Sequence, residues 1–141
     1  MLKNIPSILS PELLKILMEM GHGDELVLGD ANFPAASTAQ RLVRADGHGG
    51  PELLEAILQL FPLDTFVAQP VSLMKVVPGD DYTPDLWLHY EAIICNANPQ
   101  FKGFEMLERF EFYHRTAQAY AVVATGEMGR YANVILKKGI L

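Results

Sequence analysis

The sequence predicts an α/β fold with a mostly parallel or mixed central sheet, on three observations. Short apolar runs of strand length alternate with stretches of helical periodicity. The helical stretches open on Pro-containing start signals: Ser10-Pro11-Glu12, Gly50-Pro51-Glu52 and Thr83-Pro84-Asp85. The chain, 141 residues long and 50% hydrophobic, is the size of one domain, expected over residues 1–141, with a substantial core.

In chain order, Ser10 is expected to cap a helix from Pro11 to about Met20. Leu13, Leu14, Leu17 and Met18 form its apolar stripe, and Gly21 closes it in a left-handed conformation. Leu26-Val27-Leu28 is continuously apolar, as a strand covered on both faces requires, and Asp30 stands just beyond its carboxyl end. That position matters because ligands of open α/β sheets bind where strands finish. A second helix from Gly50 carries Leu53, Leu54, Ile57 and Leu58 and ends at Phe61-Pro62. Thr65 to Ala68 and Val71 to Val77 are strand candidates. A helix starting at Thr83-Pro84-Asp85 places Leu86, Tyr90, Ile93 and Ile94 on one side, and an amphipathic stretch covers Phe112 to Ala119. The last strands are Tyr120 to Thr125 and Asn133 to Leu136, separated by a turn at Gly126-Glu127.

Composition excludes several functions. A net charge of −6 argues against a nucleic-acid partner, since phosphate binding depends on clustered Lys and Arg. No apolar run approaches the ~20 residues of a membrane span, and Met1 to Pro6 lack the features of a secretory signal, so a cytoplasmic protein is expected. A single cysteine, Cys95, allows no internal disulfide, and its apolar neighbours make it a small buried hydrophobe. His22, His48, His89 and His114 lie far apart without a close-spaced ligand pair, so no metal is expected. Neither a Gly-x-Gly-x-x-Gly, a phosphate loop nor a Gly-x-Ser-x-Gly occurs, which leaves nucleotide cofactors and serine-hydrolase chemistry without support.

Three polar clusters stand at element boundaries: Gly21-His22-Gly23-Asp24, Asp30-Ala31-Asn32-Phe33-Pro34 and Tyr131-Ala132-Asn133. An imidazole flanked by two glycines has room to approach a ligand, and imidazoles exchange protons near neutral pH. His22 is therefore a candidate acid or base, the alternative being a turn histidine at a helix end. Asp30 either orients that histidine, accepts from a hydroxyl-rich ligand, or serves a turn. Asp46-Gly47-His48-Gly49-Gly50 reads more readily as backbone geometry than as chemistry. Trp87, Phe104, Phe110, Phe112 and Tyr113 could stack on a sugar, but at helical spacing they read as core.

Taken in order, these clusters resemble the L-fucose mutarotase and D-ribose pyranase family over essentially the whole chain. Phe61-Pro62-Leu63-Asp64-Thr65, Glu108-Arg109-Phe110, Phe112-Tyr113, Thr125-Gly126-Glu127 and Lys138-Gly139 extend the likeness. Gly23, Asn32-Phe33-Pro34 and Arg109 are similar to the fucose branch. Ala31 and the long Arg130 depart from the usual pattern, and Arg130 bears on sugar preference. The resemblance implies an α/β/α sandwich, no metal or organic cofactor, and a homo-oligomer, such as a decameric ring, with sugar sites at subunit boundaries. It implies interconversion of the anomers of L-fucose or a related monosaccharide. In that scheme His22 moves the proton, Asp30, Arg109, Tyr131 and Asn133 bind sugar, and Tyr120 or water supplies the complementary group. The alternatives are a non-catalytic monosaccharide-binding or regulatory protein and a ribose pyranase-type isomerase.

Overall fold

The computed structural model describes residues 1–141. Its elements are α1 (Pro11–Glu19), β1 (Glu25–Gly29), α2 (Ala35–Thr38), β2 (Leu42–Ala45), α3 (Gly50–Leu58), β3 (Val71–Met74), α4 (Leu86–Ala97), β4 (Glu105–Leu107), α5 (Arg109–Gln118), β5 (Ala121–Thr125) and β6 (Val134–Lys137).

Side-chain alternation along the strands sorts the molecule into three layers. Leu26, Leu28, Val123, Leu73, Val134 and Leu136 face one way and pack with Leu13 of α1, Leu54 and Ile57 of α3, and Tyr90 and Ile94 of α4. Val27, Val122, Ala124, Met74 and Ile135 face the other way, against Ala35 of α2 and Phe112 of α5. Each fully buried Leu, Ile or Phe in these layers contributes about 1.5–3 kcal/mol. The result is an α/β/α sandwich.

The strands form one mixed sheet in the order β2-β5-β1-β6-β3-β4. Only β6 is reversed: it pairs antiparallel with both β1 and β3, whereas the β1–β5, β2–β5 and β3–β4 pairs are parallel. Because Leu28 pairs with Val134, the residues just before β6 lie beside those just after β1. That reversal brings the second and third polar clusters together, between the carboxyl ends of β1 and β3 where the strand order changes direction.

Local signals act largely as the sequence predicts. Ser10 accepts the Leu13 N–H at 3.1 Å, and Pro11 occupies the first turn of α1. Five expectations are corrected. Met20, in an extended conformation, ends α1, and the left-handed residue is Gly23 (φ 86°), two positions after Gly21. Met18 is exposed, while Ile16 takes its place in the buried stripe. Thr65 to Ala68 is a bend, because the Asp64 carboxylate accepts the Phe66 N–H at 3.0 Å and turns the chain after a lone Leu63–Lys138 bridge. Val71 to Val77 keeps strand form only to Met74. Cys95 is half-buried. No helix is long and apolar enough to cross a membrane.

Candidate functional site

The ends of β1, β3 and β6 enclose a cavity of about 280 Å³. Asp30, Asn32 and Phe33 enter it from the turn after β1, Arg130, Tyr131 and Asn133 from the turn before β6, Met74 and Val77 from β3 and its exit, and Arg109 and Tyr113 from α5. Four residues singled out in the sequence, Asp30, Arg109, Tyr131 and Asn133, are thus neighbours in space.

Hydrogen bonds fix the floor of the cavity. The Asn133 side-chain oxygen accepts the Asp30 N–H at 2.7 Å. That bond assigns the carboxamide orientation, so the Asn133 –NH₂ remains a donor toward Asp30 and any ligand. The Asp30 carboxylate accepts the Asn32 N–H at 3.0 Å. Behind it, the Thr125 hydroxyl donates to the Gly29 carbonyl at 2.7 Å and the Ala31 N–H to the Glu127 carbonyl at 2.8 Å, stitching the end of β5 to the end of β1. Burial raises the Asp30 carboxyl above the usual range, against the N–H groups of Asn32, Ala132 and Phe33 and the Asn133 side chain. A buried carboxylate that a ligand can reach is suited to accepting from two sugar hydroxyls.

The walls come from side chains on opposite layers. Tyr131 has φ 57°, a left-handed conformation that costs a non-glycine residue about 1–2 kcal/mol. It is held there by the Trp87 indole, which donates to the Tyr131 carbonyl at 2.8 Å, and by the Asp80 carboxylate, which accepts its hydroxyl at 2.7 Å. On α5, Arg109 donates weakly to the Tyr113 hydroxyl at 3.4 Å, and Phe33 packs its ring against Phe112 and Tyr113. The helical spacing predicts Phe110 and Tyr113 as core, but Phe110 is exposed and Tyr113 lines the cavity. Its place four residues after Arg109 on one helix face is the signal that puts it in the cavity.

His22 is elsewhere. It precedes β1 whereas Asp30 follows it, so the two lie at opposite ends of a five-residue strand, on the order of 15–20 Å apart at ~3.3 Å per residue. Asp30 does not orient this histidine; Asp64 does. His22 Nε2 lies 3.1 Å from Asp64 Oδ1, and its ring packs 5.1 Å from that of Phe66. The His22 side chain is 43% exposed and that of Asp64 only 4%. Burial pushes the Asp64 carboxyl up, but the Phe66 N–H and His22 outweigh it and hold it below the usual range. An ionised Asp64 accepts from Nε2–H, which leaves Nδ1 as the acceptor nitrogen of a neutral ring. This is an oriented histidine on an accessible surface.

Tyr120 also stands away from the cavity, at the amino end of β5. Its hydroxyl donates to Glu19 at 3.1 Å and the Arg41 guanidinium covers its ring at 4.0 Å. In the Asp46–Gly50 cluster, Gly49 caps α3, the Glu52 carboxylate accepts its N–H at 2.8 Å, and His48 pairs with Glu52. No group of three or more His, Cys, Asp or Glu side chains converges anywhere in the chain.

The RbsD / FucU transport protein family profile matches residues 3–141. This chain belongs to that family. A fucose mutarotase from Mus musculus is 54% identical over 147 residues, covering 99% of this chain and 95% of the relative. The fucose mutarotase of Streptococcus pneumoniae, solved in complex with L-fucose, superimposes with a TM-score of 0.93 at 51% identity and 99% coverage of both chains. FucU from Bifidobacterium longum gives a TM-score of 0.96 at 50% identity with the same coverage. At this likeness the family's α/β/α architecture is the architecture of this chain.

Proposed function

We propose that the protein is a mutarotase that interconverts the α and β anomers of L-fucose. One observation carries the reading: Asp30, Arg109, Tyr131 and Asn133 line a single cavity in a chain about half identical to a fucose mutarotase solved with L-fucose. At about 280 Å³ the cavity lies just below the ~300–1,000 Å³ of sites for drug-sized ligands, which suits one monosaccharide.

The reaction needs a base and an acid. The base removes the proton from the anomeric hydroxyl while the acid protonates the ring oxygen, and the bond between the anomeric carbon and the ring oxygen breaks. Rotation about the bond to the next carbon presents the other carbonyl face, and reclosure with the reverse proton transfers gives the other anomer. Atoms and charges balance without oxidant or cofactor. Acid and base catalysis contribute about 10²–10⁴ in rate each. Asp30, Arg109, Tyr131 and Asn133 hold hydroxyls. His22, oriented by Asp64, moves the proton, and Tyr113 or water complements it; Tyr120, bound to Glu19, is the weaker candidate.

This mechanism requires two copies, because a histidine beyond the far end of β1 cannot reach the cavity of its own chain. We place the protein in a closed, cytoplasmic homo-oligomer in which His22 of one copy completes the cavity of the next. Exposed Phe66 beside His22, and exposed Phe110 on α5 beside Arg109, give apolar surface for such a contact. Saturation transfer between the two anomeric proton resonances tests the function directly. L-fucose should exchange faster with the protein than D-galactose or D-ribose, and binding without exchange would identify a sugar-binding protein instead.

A further inference from the structure

We propose that Asp80 is a positioning residue of the sugar site: by taking the only proton of the Tyr131 hydroxyl, it makes Tyr131 meet the sugar as a hydrogen-bond acceptor. The proposal rests on the reading of the cavity as the sugar site. Asp80 lies in the segment between β3 and α4, which has no regular structure and lines the cavity at Val77. Its own turn is closed by its N–H to the Val77 carbonyl at 3.2 Å and by the Tyr82 N–H to its carboxylate at 3.0 Å. The other carboxylate oxygen accepts from the Tyr131 hydroxyl at 2.7 Å and from the Arg130 guanidinium. The Tyr82 ring stacks on Tyr131 at 6.0 Å with a 27° tilt, and the Arg130 guanidinium covers Tyr82 at 4.7 Å.

These contacts settle the direction of one hydrogen bond. A carboxylate only accepts, and a phenol has one proton, so the Tyr131 oxygen has only acceptor capacity left for a ligand. One lone pair is engaged weakly by the Val77 N–H at 3.4 Å, which leaves one direction open. The Tyr131 phenol, the Tyr82 N–H and Arg130 also hold the Asp80 carboxyl below the usual range, so the arrangement persists at neutral and mildly acidic pH. The same carboxylate pairs with Arg130, which lines the cavity, and so occupies a guanidinium that would otherwise be a free cation there. The sugar group opposite Tyr131 is therefore a hydroxyl that donates.

A double-mutant cycle separates positioning from simple structural support. Asp80→Ala and Tyr131→Phe should each raise KM for L-fucose about fivefold to tenfold with a smaller change in kcat, and the double variant should be no worse than the worse single. Asp80→Asn, whose side-chain oxygen still accepts the phenol proton, should return KM to within about twofold of the parent. A second measurement uses the unaltered protein. Among deoxyfluoro-fucoses, which cannot donate at the replaced position, one should bind the parent about tenfold more weakly than L-fucose while Tyr131→Phe does not distinguish the two. Additive losses in the cycle, failure of Asp80→Asn to rescue, or equal binding of every deoxyfluoro analogue would overturn the proposal for Asp80 alone. A Tyr131→Phe variant with parental KM would overturn the placing of Tyr131 in the sugar site, and this proposal with it.

Discussion

The Asn133 side-chain oxygen accepts the Asp30 backbone N–H at 2.7 Å, joining residues 103 positions apart where β1 ends and β6 begins. Asn133 is therefore a structural clamp as well as a proposed ligand group, and both residues are buried. Removing the side chain leaves a buried N–H without its acceptor. Asn133→Ala should lose about 1–3 kcal/mol in urea unfolding as well as sugar affinity. Asn133→Asp keeps an acceptor for the N–H but sets a second carboxylate beside Asp30, so it should recover part of the stability and none of the binding. Equal stability of Asn133→Ala and the parent would show that the clamp contributes nothing.

Strong apolar runs made β1 and β6 legible, and with them the polar residues at their ends. Asp30, Tyr131 and Asn133 could be named as boundary residues from the sequence, while Arg109 came only from the family resemblance. The edge strands were not legible. β2 buries only Val43 and β4 only Leu107, too little for alternation to emerge. Thr65 to Ala68 failed for the opposite reason: its apolar side chains point outward, with Phe66 exposed beside His22. The His22–Asp64 pair joins two loops 42 residues apart, and no local period reports it. Tyr113 was hidden by a helix start three residues earlier than the amphipathic stretch indicated, since Arg109 opens α5. The reversal of β6, which sets Tyr131 and Asn133 beside Asp30, is a property of sheet topology that no local period reports.

Burial raises the Asp30 carboxyl above its ordinary value, so the folded chain binds its proton more tightly than the unfolded chain. The sign follows: stability associated with this group is fully present below the ordinary aspartate range near ~4 and is lost as pH rises through the folded-state value. In the proposed mechanism, the ionised carboxylate at neutral pH is a stability cost offset by its role in holding sugar hydroxyls. Asp30→Asn retains an acceptor for the Asn32 N–H and removes the charge. Its stability should at least equal the parent's at pH 7, with the advantage shrinking as pH falls toward 4, while anomer exchange drops at least tenfold. Urea midpoints across that pH range check the first part, and a variant less stable at pH 7 than at pH 4 relative to the parent would reverse the assigned sign.

Gly50 supports the site from behind. A Cβ there would lie 2.1 Å from the hydroxyl of Tyr90, a fully buried ring whose O–H donates to the Ala132 carbonyl at 2.8 Å between Tyr131 and Asn133. Gly50→Ala should force Tyr90 to move, costing about 1–3 kcal/mol by overpacking and disturbing the cavity floor. Tyr90→Phe, which only removes the hydroxyl, should cost about 1–2 kcal/mol. In the double variant the phenyl ring has no oxygen to clash, so part of the Gly50→Ala loss should return. Thermal unfolding of the four proteins measures this, and strictly additive losses would mean that the close approach is not the cause.

The separation of His22 from the cavity by the length of β1 makes the strongest demand on the assembly. His22→Ala should lose about 10²–10⁴ in exchange rate, equivalent to about 3–5 kcal/mol, while affinity for L-fucose changes by about 1 kcal/mol. Arg109→Ala should lose affinity instead, since it lines the cavity and leaves His22 intact. Each homogeneous variant has every site damaged. If one copy supplies His22 and its neighbour supplies Arg109, a mixed assembly of the two variants forms sites with both residues native wherever an Arg109→Ala chain presents His22 to a His22→Ala chain. Random mixing at equal amounts should restore about a quarter of the parental sites. The recovered exchange should appear only after the chains have been coexpressed or unfolded and refolded together, and should track the formation of mixed oligomers by native mass spectrometry. Activity in the mixture no greater than the mean of the two variants would show that His22 does not act across a subunit boundary, and a strictly monomeric, fully active parent by light scattering would lead to the same conclusion.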